Sequence, residues 1–286
     1  MVPHLRKAFN SAFTTNLYQT FLNDLDSLHP DAIEFRVAET PVFADKVFTQ
    51  KMLDACERAI PKNEYVPGET PHSHMIAFDF GVCINEDNEL EPQLIEMQGF
   101  PTLFGFQVYY PEIIKKHFNI PANYSHYLNG YDKTSYLAML KKLLLGNHNA
   151  ENVVLLEIKP HEQKTKIDFY CTQDYTGIQP VCITELIAEK TEIKRIYNRV
   201  IFDDLKSQSN PVNGVDITKE WNVEWIPHPN WFYRISKFTL PFIHHSYVPK
   251  TYFLNEVKQI PPDLENYVLK PLFSFAGQGV IIDVTA

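Results

Sequence analysis

The chain has 286 residues, 44% hydrophobic and 21% charged, an ordinary globular composition with material for two or three subdomains. Its 35 acidic against 26 basic residues give a formal net charge of -9. That balance argues against nucleic acid as a main partner, since phosphate backbones call for a basic face, but it suits a nucleotide held through metal ions, because carboxylates are the usual magnesium ligands.

Four widely spaced cysteines, Cys56, Cys83, Cys171 and Cys182, form no C-x-x-C pair and no disulfide framework. They read as reduced, mostly buried thiols of a cytoplasmic protein. Met1 to Phe13 is basic but lacks the apolar stretch of a secretory signal. No run approaches about 18 apolar residues, so no membrane contact is expected.

In chain order, residues 4 to 27 read as one helix, with Leu5, Phe9, Phe13, Leu17, Phe21 and Leu25 spaced by four. Ala44 to Ala59 reads as a second amphipathic helix, and residues 61 to 73 as a Pro-rich loop. Met75 to Ile84 and Gln93 to Gln98 are strand-like, with the polar turn Asn85 to Glu91 between them. A hairpin symmetric about Asp87-Asn88 sets Asp79 opposite Glu96 and places Gln98 on the same face. These three would form a cluster of oxygen ligands. Ile76, Phe78, Phe80, Val82, Ile95 and Met97 would then form the apolar face. Two facing carboxylates repel unless a cation, a proton or a basic side chain lies between them; the competing reading is two acids on a solvated face.

Asp79-Phe-Gly81 spells the kinase metal-binding tripeptide, but the 78 residues before it supply none of the other kinase segments. His72-Ser-His74 reads as a loop histidine pair without a third ligand.

Farther on, Glu112 to Phe118 and Tyr131 to Leu145 read as helices. Asn152 to Ile158, Pro180 to Thr184 and residues 196 to 202 read as strands, with a helix over Gln163 to Thr172. This alternation predicts a small parallel α/β unit within a mixed α+β chain. Ser207 to Thr218 reads as a linker. The last stretch, Tyr267 to Val284, reads as strand, loop, strand, with Lys270 closing the first strand and Gly277 and Gly279 in the loop. Glycines let backbone N–H groups approach an anion, and a lysine adds a point charge; a plain hairpin with a flexible turn is the alternative.

Three features share one order along the chain: the acidic hairpin Asp79, Glu96 and Gln98; Lys237 in Ser236-Lys-Phe-Thr-Leu-Pro241; and Lys270-Pro271 with its glycine loop. Together they resemble the ATP-grasp enzymes, most closely the permuted branch typified by glutathionylspermidine synthase. Gln98 stands where that branch has Asn, and Ala77 where it has Arg. The resemblance implies an ATP-grasp-like fold with a small Rossmann-like pre-ATP-grasp unit and without the C-terminal part of the grasp. The implied division is 1–125 for helices and metal hairpin, 126–206 for the α/β unit, and 207–286 for a partial nucleotide-binding subdomain.

The activity it implies is ATP-dependent ligation of a carboxylate to an amine through an acylphosphate, with small-molecule acid and amine as substrates and ATP and Mg2+ as cofactors. Asp79, Glu96 and Gln98 would hold the metal. Lys237, Lys270, Ser274, Gly277 and Gly279 would hold the nucleotide, the loop from Ser274 to Gly279 closing over it. Arg199, before Asp203 and Asp204, is the catalytic candidate for an acceptor carboxylate or a phosphate; an ion pair with one of those aspartates is its competing reading. The alternatives to a ligase are a nucleotide-binding module without activity and an α/β binding protein that takes no nucleotide.

Overall fold

In the computed structural model, residues 2–59, 73–100, 102–188, 192–202, 205, 217, 219–274 and 277–285 are described. The predicted loop at 61–73 and the linker at 207–218 lie almost wholly outside them, as do Asp203 and Asp204. The chain is mixed α/β, with one antiparallel and one parallel sheet among the described residues. It divides into two compact units, each built from two segments: residues 1–44 with 101–228, and residues 45–100 with 229–286. These do not follow the sequential spans 1–125, 126–206 and 207–286. The acidic hairpin shares a unit with the C-terminal segment because the Leu94 N–H donates to the Tyr247 carbonyl at 2.9 Å and Phe100 packs edge-on against Phe232.

The first unit opens with α1 (Pro3–Ala12) and α2 (Thr15–Asp26), where the four-residue spacing predicts a single helix. Phe13 is extended, and the Thr14 hydroxyl accepts the Leu17 N–H at 3.2 Å, starting a new helix. The period survives the break because Phe9, Phe21 and Leu25 enter one core with Phe106, Tyr109 and Phe118. The four-stranded sheet runs β4-β3-β5-β6, all parallel, from β3 (Val153–Glu157), β4 (Gln179–Cys182), β5 (Arg195–Asn198) and β6 (Glu224–Ile226). Every residue of β3 is buried, as expected for a central parallel strand. The three-residue β6 carries too short a pattern to read from sequence. Before β3 lies α5 (Lys133–Leu145), capped by reciprocal Asp132 and Ser135 hydrogen bonds, and between β3 and β4 lies α6 (Lys166–Thr176).

The helix α4 (Phe106–His117) begins six residues before the predicted start at Glu112. The Asp168 carboxylate accepts the Gly105 and Phe106 N–H groups at 2.7 and 2.9 Å. A remote residue thus satisfies donors that the helix leaves open, and no local cap marks the start.

In the second unit, α3 (Lys46–Ala59) packs on a hairpin of β1 (Ala77–Ile84) and β2 (Leu90–Gln98). Asp79 does pair with Glu96, but the hairpin is not symmetric throughout. Phe80 pairs with Leu94, so Ile95 is left without a cross-strand partner in a β-bulge. The bulge corrects the predicted apolar face. Leu94 and Met97 are both buried, whereas Ile95 is 45% exposed and Val82 39% exposed. The terminal hairpin reduces to one bridge, Leu269 with Ile281, closed by two 2.9 Å hydrogen bonds. The cysteines are all free, with Cys171 and Cys182 buried, Cys56 half-buried and Cys83 exposed. Among the described residues no helix is long and apolar enough to cross a membrane.

The bulge gives a direct test. Leu94→Ala should cost about 2–5 kcal/mol in urea unfolding, whereas Ile95→Ala should cost under about 1 kcal/mol. A larger loss at Ile95 than at Leu94 would mean that the strand alternates without a bulge.

Candidate functional site

The second unit brings Asp79, Glu96, Gln98, Lys237, Lys270 and Ser274 into one cluster. Its floor is the bulged end of the hairpin. Asp79 and Glu96 face each other across the strands, and the Gln98 amide donates to Asp79 Oδ2 at 2.8 Å. Burial, and next the Glu96 charge, hold the Asp79 carboxyl above its ordinary range, with the Gln98 hydrogen bond opposing.

Lys237 supplies the cation that two facing carboxylates require. Its ammonium lies 2.9 Å from Glu96 Oε2 and donates to the Ser274 carbonyl at 2.5 Å, and the residue is only 8% exposed. Local sequence fixes it there. Ser236 is extended, and its hydroxyl accepts the Phe238 N–H at 3.3 Å, opening a 3-10 helix over Lys237–Phe242. The Thr239 hydroxyl donates back to the Arg234 carbonyl, and Leu240 is buried beside it. Phe238 and Phe232 both stack on Phe273, with ring centroids 6.1 and 6.0 Å apart, so the chain arrives at Ser274 held by aromatic contacts.

Lys270 approaches from the other side. Its ammonium donates to the Ile95 carbonyl at 2.9 Å. Burial lowers its pKa from the ordinary lysine value; Lys237 adds to the shift and Glu96 opposes it. Gly277 and Gly279 both have left-handed backbones, φ +72° and +71°, and a Cβ on Gly279 would lie 2.8 Å from the Pro271 ring. Side chains are disfavoured at both positions for that backbone reason, and at Gly279 also for lack of space. The Ser274 hydroxyl oxygen is buried without a hydrogen-bond partner.

This donor set fits a magnesium nucleotide chemically. Two carboxylates and an amide oxygen are hard ligands, two lysines meet them, and Ser274 has an unused hydroxyl. Turning the Gln98 amide would offer its oxygen. Among the described residues, no group of three or more His, Cys, Asp or Glu is placed to hold a metal.

Arg199 is placed differently from the catalytic expectation. It belongs to the first unit, is 1% exposed, and its guanidinium donates to Asp168 Oδ2 at 2.6 Å and the Tyr197 hydroxyl at 3.0 Å. It also donates to the Thr102 carbonyl and lies over the Phe169 ring. Its carboxylate partner among the described residues is Asp168, and Asp203 and Asp204 lie outside them. A group so enclosed holds the fold together and offers no face to a substrate. Sequence reasoning missed Asp168, Phe273 and the Ile95 carbonyl. Asp168 sits on a predicted helix with no local signal, and a backbone carbonyl carries none.

No protein-family model matches the chain, and no curated protein matches it. Among solved structures, a glutathione synthetase-like effector from Globodera pallida, in apo form, is similar over 82% of this chain and 67% of its own. The TM-score is 0.45 and the identity 11%.

The carboxylate pair predicts a pH dependence. A carboxyl with a raised native pKa binds its proton more tightly folded than unfolded, so it costs stability as pH rises through and above the ordinary carboxylate value of about 4. Without divalent cations, Asp79→Asn should therefore unfold at higher temperature than wild type at pH 7, the gain closing as pH falls below about 4. A destabilised variant at pH 7 would refute the penalty that burial and the Glu96 charge place on the ionised carboxylate. In the other unit, Arg199→Met leaves the Asp168 charge buried and unpaired, so it should cost about 3–5 kcal/mol in denaturant unfolding. A loss below about 1 kcal/mol would contradict the structural role.

Proposed function

We propose that the second unit binds ATP with a divalent cation and that the chain serves an ATP-dependent ligase joining a carboxylate to an amine. The observation that carries this reading is the convergence of two lysines, 33 positions apart in sequence, on adjacent residues of the bulge. Lys237 meets the Glu96 side chain and Lys270 the Ile95 carbonyl. The resemblance in motif order asks for that grouping.

In this reading Asp79 and Glu96, with Gln98, hold magnesium, which when bound would neutralise phosphate charge as phosphoryl transfer proceeds. Lys237 and Lys270 provide fixed positive charge on a water-poor side of the site, where it counts for more than in bulk solvent. Ser274 offers a hydroxyl to a phosphate oxygen, and the Gly277 and Gly279 backbones allow close approach of an anion.

The second reading is a nucleotide-binding module without ligase activity. The enclosure of Arg199 favours it, since a guanidinium so buried and paired offers nothing to an acceptor carboxylate.

Thermal unfolding with and without MgATP tests the shared part of both readings. A ligand at about 100 times its Kd adds roughly 2.7 kcal/mol to native stability, so a clear upward shift in Tm is expected, lost in Lys270→Ala. No shift in the wild-type chain would overturn the nucleotide site. ADP release in the presence of candidate acids and amines then separates ligase from binding module.

A further inference from the structure

The Lys237–Glu96 pair joins a residue proposed for phosphate to one proposed for metal. Each carries the charge that the other's ligand would bring. The ammonium meets Glu96 Oε2 at 2.9 Å with 8% of Lys237 exposed, so neither charge can turn to a ligand without leaving its partner in a poorly solvated place. Lys270 differs. It holds a neutral carbonyl, and releasing it strands no carboxylate. Asp79 differs likewise, accepting a hydrogen bond from the neutral Gln98 amide.

We infer that the Lys237–Glu96 ion pair is an autoinhibitory latch that makes cation and polyphosphate binding mutually dependent. The inference rests on the proposed nucleotide site and deepens it by naming its regulation. A cation arriving alone must take Glu96 from Lys237, and a polyphosphate arriving alone must take Lys237 from Glu96. Arriving together, the two ligands replace the pair with one new partner for each residue, so both recover what separation costs. By linkage, whatever factor the cation adds to polyphosphate affinity, the polyphosphate adds to cation affinity. The latch thus discriminates against free divalent cations and free anions, both abundant in cells, in favour of the metal–polyphosphate complex.

Two variants open the latch from opposite sides, and each has a control that changes charge equally while leaving the pair intact. Lys237→Met should bind Mn2+ alone, with no nucleotide present, at least about tenfold more tightly than wild type, while Lys270→Met should gain under about threefold, since the coupling expected of such a pair is 5- to 150-fold. Conversely, with EDTA present, Glu96→Gln should bind inorganic tripolyphosphate at least about tenfold more tightly than wild type, and Asp79→Asn under about threefold. Calorimetric titration reads both arms, with circular dichroism confirming folded variants. The two arms are independent, so a misfolded Lys237→Met still leaves the Glu96→Gln result decisive. Equal gains in a variant and its control would reduce the effect to net charge and overturn the latch, as would no gain in either arm. A wild-type MgATP shift without these gains would sink the latch and leave the nucleotide site standing. The gains without an MgATP shift would do the reverse.

Discussion

One unpaired residue organises the second unit. By standing outside the ladder, Ile95 shifts the register of β2 by one position, which brings Glu96 opposite Asp79 and lets both Leu94 and Met97 point into the core. Its carbonyl accepts the Lys270 ammonium. A bulge bends and twists its strand and re-aims side chains locally. Here it turns an ordinary hairpin into a floor with two carboxylates, one amide and a lysine-binding carbonyl. The exposure of Ile95 follows from the same geometry, because a β-branched apolar residue at that position cannot both occupy the bulge and face inward.

Charge balance at that floor comes from far along the chain. Two carboxylates directly across a strand pair are unfavourable, and the Glu96 charge adds to burial in holding the Asp79 carboxyl above its ordinary range. Lys237 offsets the repulsion, and it reaches Glu96 because Ser236, Thr239 and Leu240 anchor a short 3-10 helix whose first residue is Lys237 itself. Phe273, just before the glycine loop, stacks on Phe238 of that helix and on Phe232 of the short helix before it, Trp231–Arg234. The aromatic richness of the region from Trp221 onward, which in sequence has no evident purpose, becomes the packing that holds Ser274 at the Lys237 ammonium.

The first unit solves a different electrostatic problem. Asp168 and Arg199 are both buried, and each satisfies more than the other. Asp168 takes the two leading N–H groups of α4, while Arg199 reaches the Tyr197 hydroxyl and the Thr102 carbonyl. The network ties the start of a helix to the end of a central strand. A buried pair with all these partners specifies an arrangement more than it adds net stability, because desolvation offsets most of the attraction. Arginine suits the place, since its planar fork can meet a carboxylate, a hydroxyl and a carbonyl at once.

The sequence by itself determined most element types and placed Asp79 and Glu96 on facing strands of one hairpin, because period-two and period-four patterns and a polar turn are local properties of the chain, but the register that makes them a pair comes from the bulge. It also determined that Lys237 and Lys270 belonged with those acids, though only through motif order. The structure decided the rest. The bulge at Ile95, the early start of α4, the break between α1 and α2 and the enclosure of Arg199 each depend on partners distant in sequence. Asp168 lies 62 residues from the Phe106 N–H it caps, and Glu96 finds Lys237 through a fold, not a spacing. Local pattern reports which face a residue prefers. Which charge it meets, and whether water reaches it, is set only when remote segments close around it.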